Sequence, residues 1–416
     1  FALAVSFVSC DDWLDKTPKD RLYPDVYFKT EDELRLFTNQ FYNNLVPSAV
    51  DIYSESSDLI VKSDLMLEMS GQRIIPDEGN GWNFTALRDI NFYLQYSHNC
   101  TEVNARNRYD GVARFFRAYF YFEKVKRYGD IPWYDKALDS DDPELYKARD
   151  SREFVMQKML EDLDFAIANL PKTKNAYVLT RWTALALKSR VCLFEGTFRK
   201  YHGLEDCEKY LNACVSASET FMNESGYTLY KSGSTPYRDL FASINLQADE
   251  VIFGRDYEAS LSVLHNVQNY ENSTTMGRPG MNKKIVNSYL MADGSRFTDK
   301  AGYETMTFDQ ECQNRDPRLA QTIRTPGYTR IGSTKKEAPN LAYTMTGYHL
   351  IKYSMTANYD EYNKSCNDIP LFRTAEVYLN FAEAKAELGT LKQADINKSI
   401  KLLRDRVGMT NLDMEL

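Results

Sequence analysis

Histidine is scarce in this 416-residue chain, and the four present, His98, His202, His265 and His349, lie far apart. None belongs to an H-E-x-x-H or similar arrangement, so no zinc-hydrolase helix is marked. A G-x-S-x-G elbow, a Walker loop and a dinucleotide-binding glycine pattern are also missing. Basic residues are in the minority, 51 against 59 acidic, for a net charge of −8. That balance argues against a phosphate-backbone partner, and no nucleic acid ligand is expected. Beyond the first ten residues no apolar run is long enough for a transmembrane helix. The seven cysteines form no C-x-x-C pair. Cys207 and Cys214 have no histidine or second pair at zinc-finger spacing, so neither a metal site nor a disulfide framework is expected. Cys192 sits in an apolar helical pattern, where it would pack as a small hydrophobe. Acidic pairs could be drawn almost at will among 59 carboxylates. No hydrolase pair is therefore nominated, and the chain is not read as an enzyme.

What is present suits a large folded core: 43% hydrophobic and 26% charged residues, with 29 Tyr outnumbering 22 Phe. A tyrosine offers an apolar face and a polar tip, which suits sugar contact, although most are expected to line the core. Residues 1–9, ending Phe7-Val8-Ser9, read as the tail of a lipoprotein signal, and Cys10 as the cysteine that would carry the lipid. Residues 10–29, opening on Asp11-Asp12, would be the tether.

Residues 30–225 are predominantly helical in pattern. Thr30 and Glu33 form a capping-box signature for a helix to about Leu45. Residues 47–82 are broken by Pro and Gly. Helical spacing then runs from Asn104 to Tyr128, stopped by Gly129. Asp150 with Glu153 predicts a cap for a helix to about Leu170, and Thr180 caps another that Gly196 should end. A further helix spans about Leu204 to Met222. Residues 226–368 are loop-rich, with strand-like pieces such as Glu250–Phe253. Residues 369–416 regain helical order over Leu371–Leu388 and Asp395–Val407, the pattern of a helical hairpin. The fold class expected is mostly α: helical hairpins stacked in a tetratricopeptide-like superhelix, a loop-rich ligand-binding subregion and few short strands.

Several segments together carry a family resemblance. Arg114-Phe-Phe-Arg-Ala-Tyr-Phe-Tyr121 and Arg127-Tyr-Gly-Asp-Ile-Pro132 resemble a signature of SusD-like (RagB/SusD) proteins. Agreement continues in Thr180–Arg190, Met291–Gly294, Asn314–Leu319 with Pro326-Gly327, Thr346–Tyr348 with Lys352-Tyr353, and Ile369–Ala384. The start Cys10-Asp-Asp-Trp-Leu-Asp-Lys-Thr-Pro18 is similar as well. The motif arginines Arg114, Arg117, Arg127, Arg181 and Arg373 are expected to pin helix ends and loop carbonyls rather than touch ligand. Similar proteins usually continue well past a segment like Asn397–Met409. On that comparison the last hairpin looks truncated, which would expose Leu402, Leu403 and Val407.

The resemblance implies a cofactor-free glycan-binding lipoprotein, anchored through Cys10 on the outer face of an outer membrane. It would hold an oligosaccharide for a SusC-like TonB-dependent transporter. Sugar C–H faces stack on aromatic rings while Asn, Asp, Gln and Arg take the hydroxyls. The candidates here are Trp82 with Asn80 and Asn83, and a polar-aromatic stretch holding Tyr257, Asn266, Gln268, Tyr270 and Asn272. Trp82 follows Gly79-Asn-Gly81, a loop able to present an indole. Alternatives are a tetratricopeptide-like protein-interaction scaffold, a surface glycoside hydrolase and a peptide-binding uptake lipoprotein.

Overall fold

The computed structural model describes residues 27–414 apart from 54–56, 77–78 and 80. The signal remnant, most of the tether, Cys10 and Asn80 lie outside the described residues. Seven helices build the main layer. They are α1 (Glu31–Leu45), α2 (Thr85–Tyr96), α3 (Val103–Tyr128), α4 (Arg152–Asn169), α5 (Arg181–Tyr201), α6 (Cys207–Glu224) and α7 (Thr374–Glu387). The Thr30 hydroxyl accepts from the Glu33 N–H at 3.3 Å, and the Glu33 carboxylate accepts from the Thr30 N–H at 3.1 Å. This is the expected capping box, and it satisfies two donors that a helix start leaves orphaned.

Packing follows chain order: α3 lies against α4, α5 against α6, α7 beside α6, and α1 with α2 on α3. Helical hairpins stacked in this way are the tetratricopeptide-like arrangement read from the sequence. One continuous core runs through them, with Phe41, Tyr93, Phe115, Phe116, Tyr121 and Phe221 fully buried. Cys192 packs between α5 and α6, where burial pushes its thiol well up.

Several boundaries differ from expectation for identifiable reasons. Ser151, not Asp150, caps α4, its hydroxyl accepting from the Phe154 N–H at 3.3 Å. Asp150 is occupied elsewhere, accepting from the Trp133 N–H at 2.7 Å and pairing with Lys147 at 2.9 Å. Gly196 does not end α5, which continues to Tyr201. A Cβ there would lie 2.7 Å from Leu211 Cγ and 3.1 Å from the Leu211 backbone nitrogen. The glycine therefore lets α5 and α6 approach closely. Gly196→Ala should gain up to ~1 kcal/mol of helix propensity yet lose about 1–3 kcal/mol to overpacking. The expected result is a urea midpoint of helical circular dichroism below that of wild type.

Leu371 is strand rather than helix. The antiparallel pair β2 (Val251–Arg255) and β4 (Ile369–Arg373) matches Gly254 with Pro370 and Arg255 with Ile369. Proline is tolerated here because β4 is an edge strand of a two-stranded sheet. A second small sheet joins β1 (Ile60–Val61) to β3 (Gly280–Met281). The predicted Asp395–Val407 helix is split into Gln393–Asn397 and Ile400–Asp405, breaking at Ser399, whose hydroxyl donates to the Asp395 carbonyl at 2.6 Å. Leu403 is not exposed: it packs with Leu229, Ala375 and Tyr378, while Leu402 and Val407 are part-buried.

The loop-rich segment is held by buried polar groups instead of regular ladders. Arg315 donates to the carbonyls of Glu311, Val286 and Tyr289 at 2.7, 2.6 and 2.8 Å, with its guanidinium 3.8 Å from the Phe297 ring centre. Irregular buried backbone needs such donors, because an unpaired carbonyl is costly. Three of the motif arginines, two on helices and one ending β4, differ from expectation by bonding carboxylates. Arg117 grips Asp162, Arg181 pairs with Glu224 at 3.2 Å, and Arg373 with Glu250 at 2.8 Å.

Candidate functional site

Trp82 enters through a tight turn: its N–H donates to the Gly79 carbonyl at 3.0 Å, and the Asn83 N–H donates to the Gly81 carbonyl at 2.9 Å. Gly81 has φ +84°, a left-handed conformation that favours glycine, and a Cβ there would meet the Tyr128 hydroxyl at 3.2 Å. Lys124, from α3, donates to the Gly81 carbonyl and ties the turn to the helix. The indole is 39% exposed. Its position is nonetheless fixed, edge-to-face against Tyr128 at 5.0 Å and Phe84 at 5.3 Å, with the Arg149 guanidinium 4.9 Å from the ring centre.

Beside the indole lies a groove of about 280 Å³ whose apolar floor includes Phe84, Leu87, Tyr134 and Leu138. Arg88, Asn91 and Lys136 supply polar groups along it. They are held in place: Arg88 donates to the Leu138 carbonyl at 3.2 Å, Asn91 to the Tyr134 carbonyl at 2.8 Å, and Lys136 pairs with Glu144 at 3.0 Å. An exposed ring over an aromatic floor with polar groups at its edge can hold a ligand with apolar faces and hydroxyl edges. Asn83 serves the turn, its side-chain oxygen accepting from the Thr85 N–H at 2.8 Å at the start of α2.

The second set of expected site residues lies inside the protein. Tyr257 is buried, its hydroxyl accepting from the Ala49 N–H at 2.8 Å. Asn266 is buried and exchanges two hydrogen bonds with Asn363. Gln268 donates to the Thr356 carbonyl and Asp360 and accepts from the Met355 N–H at 2.7 Å. The Asn272 side-chain oxygen accepts from Arg324 at 2.7 Å and Arg330 at 3.2 Å. Tyr270 is buried with its ring against an internal cavity. The expectation of a sugar-facing surface is corrected for Tyr257, Asn266, Gln268 and Asn272, whose polar groups serve irregular backbone and buried arginines, whereas Tyr270 lines the cavity. Trp82 lines one groove and Tyr270 a different cavity.

Sequence reasoning missed Phe84, Tyr128, Tyr134 and Arg149 as neighbours of Trp82. Tyr128 and Tyr134 stand within or just beyond the Arg127–Pro132 motif, which was the available signal. Phe84 lies two residues from Trp82 in the chain, whereas Arg149, just ahead of α4, meets the indole only in the folded protein and gave no signal.

Helical hairpins carrying a loop-rich flank and an exposed aromatic groove define this protein's class, and comparison with known proteins assigns it further. Residues 240–416 match the model of the SusD family, and residues 71–181 match a model described as "Starch-binding associating with outer membrane". A SusD-like protein of Formosa agariphila is 25% identical over 93% of this chain and 76% of its own length. Another from that organism is 20% identical, spanning all of this chain and 82% of its own length. Among solved structures, a SusD-like protein from Bacteroides fragilis superposes with a TM-score of 0.75 at 22% identity, covering 96% of this chain and 83% of that one. A SusD-like carbohydrate binding protein from the same organism gives 0.72 at 18% identity, covering 92% and 80%. The chain belongs to the SusD/RagB family.

Proposed function

We propose that this protein is a carbohydrate-binding lipoprotein of the outer membrane surface, attached through lipid on Cys10. It captures an oligosaccharide and passes it to a SusC-like TonB-dependent transporter. The observation that carries the reading is Trp82, whose indole is held rigidly by Phe84 and Tyr128 yet remains 39% exposed over an aromatic-floored groove. A large exposed ring pinned by its neighbours gains little for the fold from its exposed part, but offers a sugar a preordered face. Family membership supports it, as does the description of one relative as a carbohydrate binding protein. Binding of this kind needs no cofactor and no catalytic carboxylate pair.

The test is a glycan and peptide panel, by affinity electrophoresis and calorimetry, on the soluble chain from Asp11. One polysaccharide should bind selectively. Trp82→Ala should weaken it by about 2 kcal/mol or more, roughly 30-fold, as truncation of a central aromatic anchor does. Helical circular dichroism should not change. Undiminished binding by the variant would remove Trp82 from the site, and binding to peptides alone would overturn the carbohydrate reading.

A further inference from the structure

Between the segment that follows α1, strand β4 and the loop-rich segment lies a second cavity, of about 550 Å³, sharing no lining residue with the Trp82 groove. Its volume falls within the roughly 300–1,000 Å³ of small-molecule sites. Tyr237, Tyr270, Tyr289 and Tyr353 contribute to its walls, with Ile60 and Ile285 as aliphatic fill. Tyr237 and Tyr289 are only part-buried, and both line this cavity as well as a neighbouring one beside Arg318 and Arg406.

One charged group in the wall stands out. Lys352 hydrogen-bonds the Tyr237 hydroxyl, and its ammonium lies 4.2 Å from the Phe241 ring centre and 5.6 Å from that of Tyr237. Among the described residues it forms no ion pair with a carboxylate, unlike the nearby Arg373 and Arg406, which share the buried Glu250 at 2.8 Å each. Two cations on one anion leave a positive excess, and the Arg406 guanidinium is 5.3 Å from the Tyr237 ring centre. Burial alone would push the Tyr237 hydroxyl up, but Lys352, Arg373 and Arg406 outweigh it and hold the group below its ordinary value.

The acids at the cavity do not cancel this charge. Asp51 is exposed at the rim and accepts from the Ser48 N–H at 2.6 Å. Glu271 accepts from the Ser354 hydroxyl at 2.7 Å, and burial pushes its carboxyl up to about 7, where much of its charge is lost near neutrality. The cavity is thus aromatic along its walls and cationic at the Lys352 end.

We propose that this cavity is a second carbohydrate subsite for a sugar bearing a carboxylate, a uronic acid unit, paired with Lys352 and faced by the Tyr237 and Tyr289 rings. The choice of a sugar over other carboxylates rests on the carbohydrate-binding reading above. A charge-assisted hydrogen bond from a half-buried ammonium supplies selectivity, and the rings take the C–H faces.

The test is calorimetry on the full chain with oligogalacturonate, oligoglucuronate and oligomannuronate, their methyl esters, maltotriose, and tri-aspartate as a carboxylate without a sugar. A uronate should bind at least tenfold more tightly than its ester and than tri-aspartate. Lys352→Met, which keeps the apolar stem, should erase that preference. Ile285→Trp, which fills the cavity and leaves Lys352 in place, should abolish uronate binding while neutral glycan binding that depends on Trp82 persists. Equal affinity for ester and acid, an unchanged Lys352→Met, preference for tri-aspartate, or no uronate binding would each overturn the subsite. If neutral glycan binding survives in those cases, the Trp82 reading stands; if no glycan of any kind binds, both fail.

Discussion

Asp162→Ala is expected to lower the unfolding free energy by about 3–5 kcal/mol, the cost of leaving a buried charge without its partner. Arg117 on α3 donates to Asp162 on α4 through Nε at 2.6 Å and a terminal nitrogen at 2.7 Å, a two-pronged contact that fixes both angle and distance between the helices. Its remaining terminal nitrogen donates to the Asn91 side-chain oxygen on α2 at 3.2 Å, and its guanidinium lies 5.1 Å from the Trp133 ring centre. Arg117 is 7% exposed and Asp162 2%, so water cannot replace the lost carboxylate. Arg114 lies 3.8 Å from the same carboxylate but is half-exposed, and it cannot follow Arg117 inward. Removing both charges together, as in Arg117→Met with Asp162→Leu, should recover most of the loss, because an apolar pair needs no solvation. Urea unfolding followed by helical circular dichroism decides it: a single variant within 1 kcal/mol of wild type would mean that the pair contributes little.

That pair also shows how far the chain could be read in advance. The spacing of Phe115, Ala118, Phe122 and Val125 marks a buried helix face, and α3 occupies almost the predicted residues. A helix stripe is a local property, so it is legible in one dimension. Arg117 lies about 120° around the helix from that stripe, on a side that is also buried, and only the arrival of Asp162 from α4 makes its burial tolerable, a fact that spacing cannot supply. Gly196 illustrates the same limit: a glycine in a helical pattern signals either a stop or a close approach, and Leu211 decides between them. In the loop-rich segment, asparagines and glutamines resemble a sugar-binding surface because exposed hydroxyl recognition and buried backbone satisfaction use the same amides. The exposed turn at Trp82 follows from the glycines before it, whereas one of the rings that hold the indole, Tyr128, comes from α3 and is far away in the chain.

Acidification should weaken the loop-rich segment before the helical layer, through two histidines that are locked neutral. His265 directs Nε2 to the Asn367 carbonyl at 2.9 Å and Nδ1 to the Val267 N–H at 3.2 Å. His349 repeats the pattern, with Nε2 on the Glu271 carbonyl at 2.8 Å and Nδ1 on the Asn340 N–H at 3.2 Å. In both rings Nε2 carries the proton and Nδ1 accepts, so a second proton would face an N–H. Burial pushes His265 down to about 4, and burial with Arg324 nearby pushes His349 down to about 3. Between those values and the unfolded value near 6.5 the unfolded chain binds the extra proton, so stability rises with pH and is lost as pH falls through this window. Glu271 acts oppositely: its folded value of about 7 lies above the unfolded one, so its contribution is present at low pH and is lost as pH rises toward 7. Two histidines oppose one glutamate between about pH 4.5 and 6.5, leaving a net loss on acidification. For His265 alone, the loss from pH 7 to 4.5 corresponds to about 2 kcal/mol. His265→Asn should therefore flatten the pH dependence of the urea midpoint by that amount, whatever its effect at pH 7. Near-ultraviolet circular dichroism is the signal to follow, since the tyrosines of the loop-rich segment report its packing. Parallel wild-type and variant curves from pH 7 to 4.5 would show that His265 keeps an ordinary affinity for its proton in the folded protein.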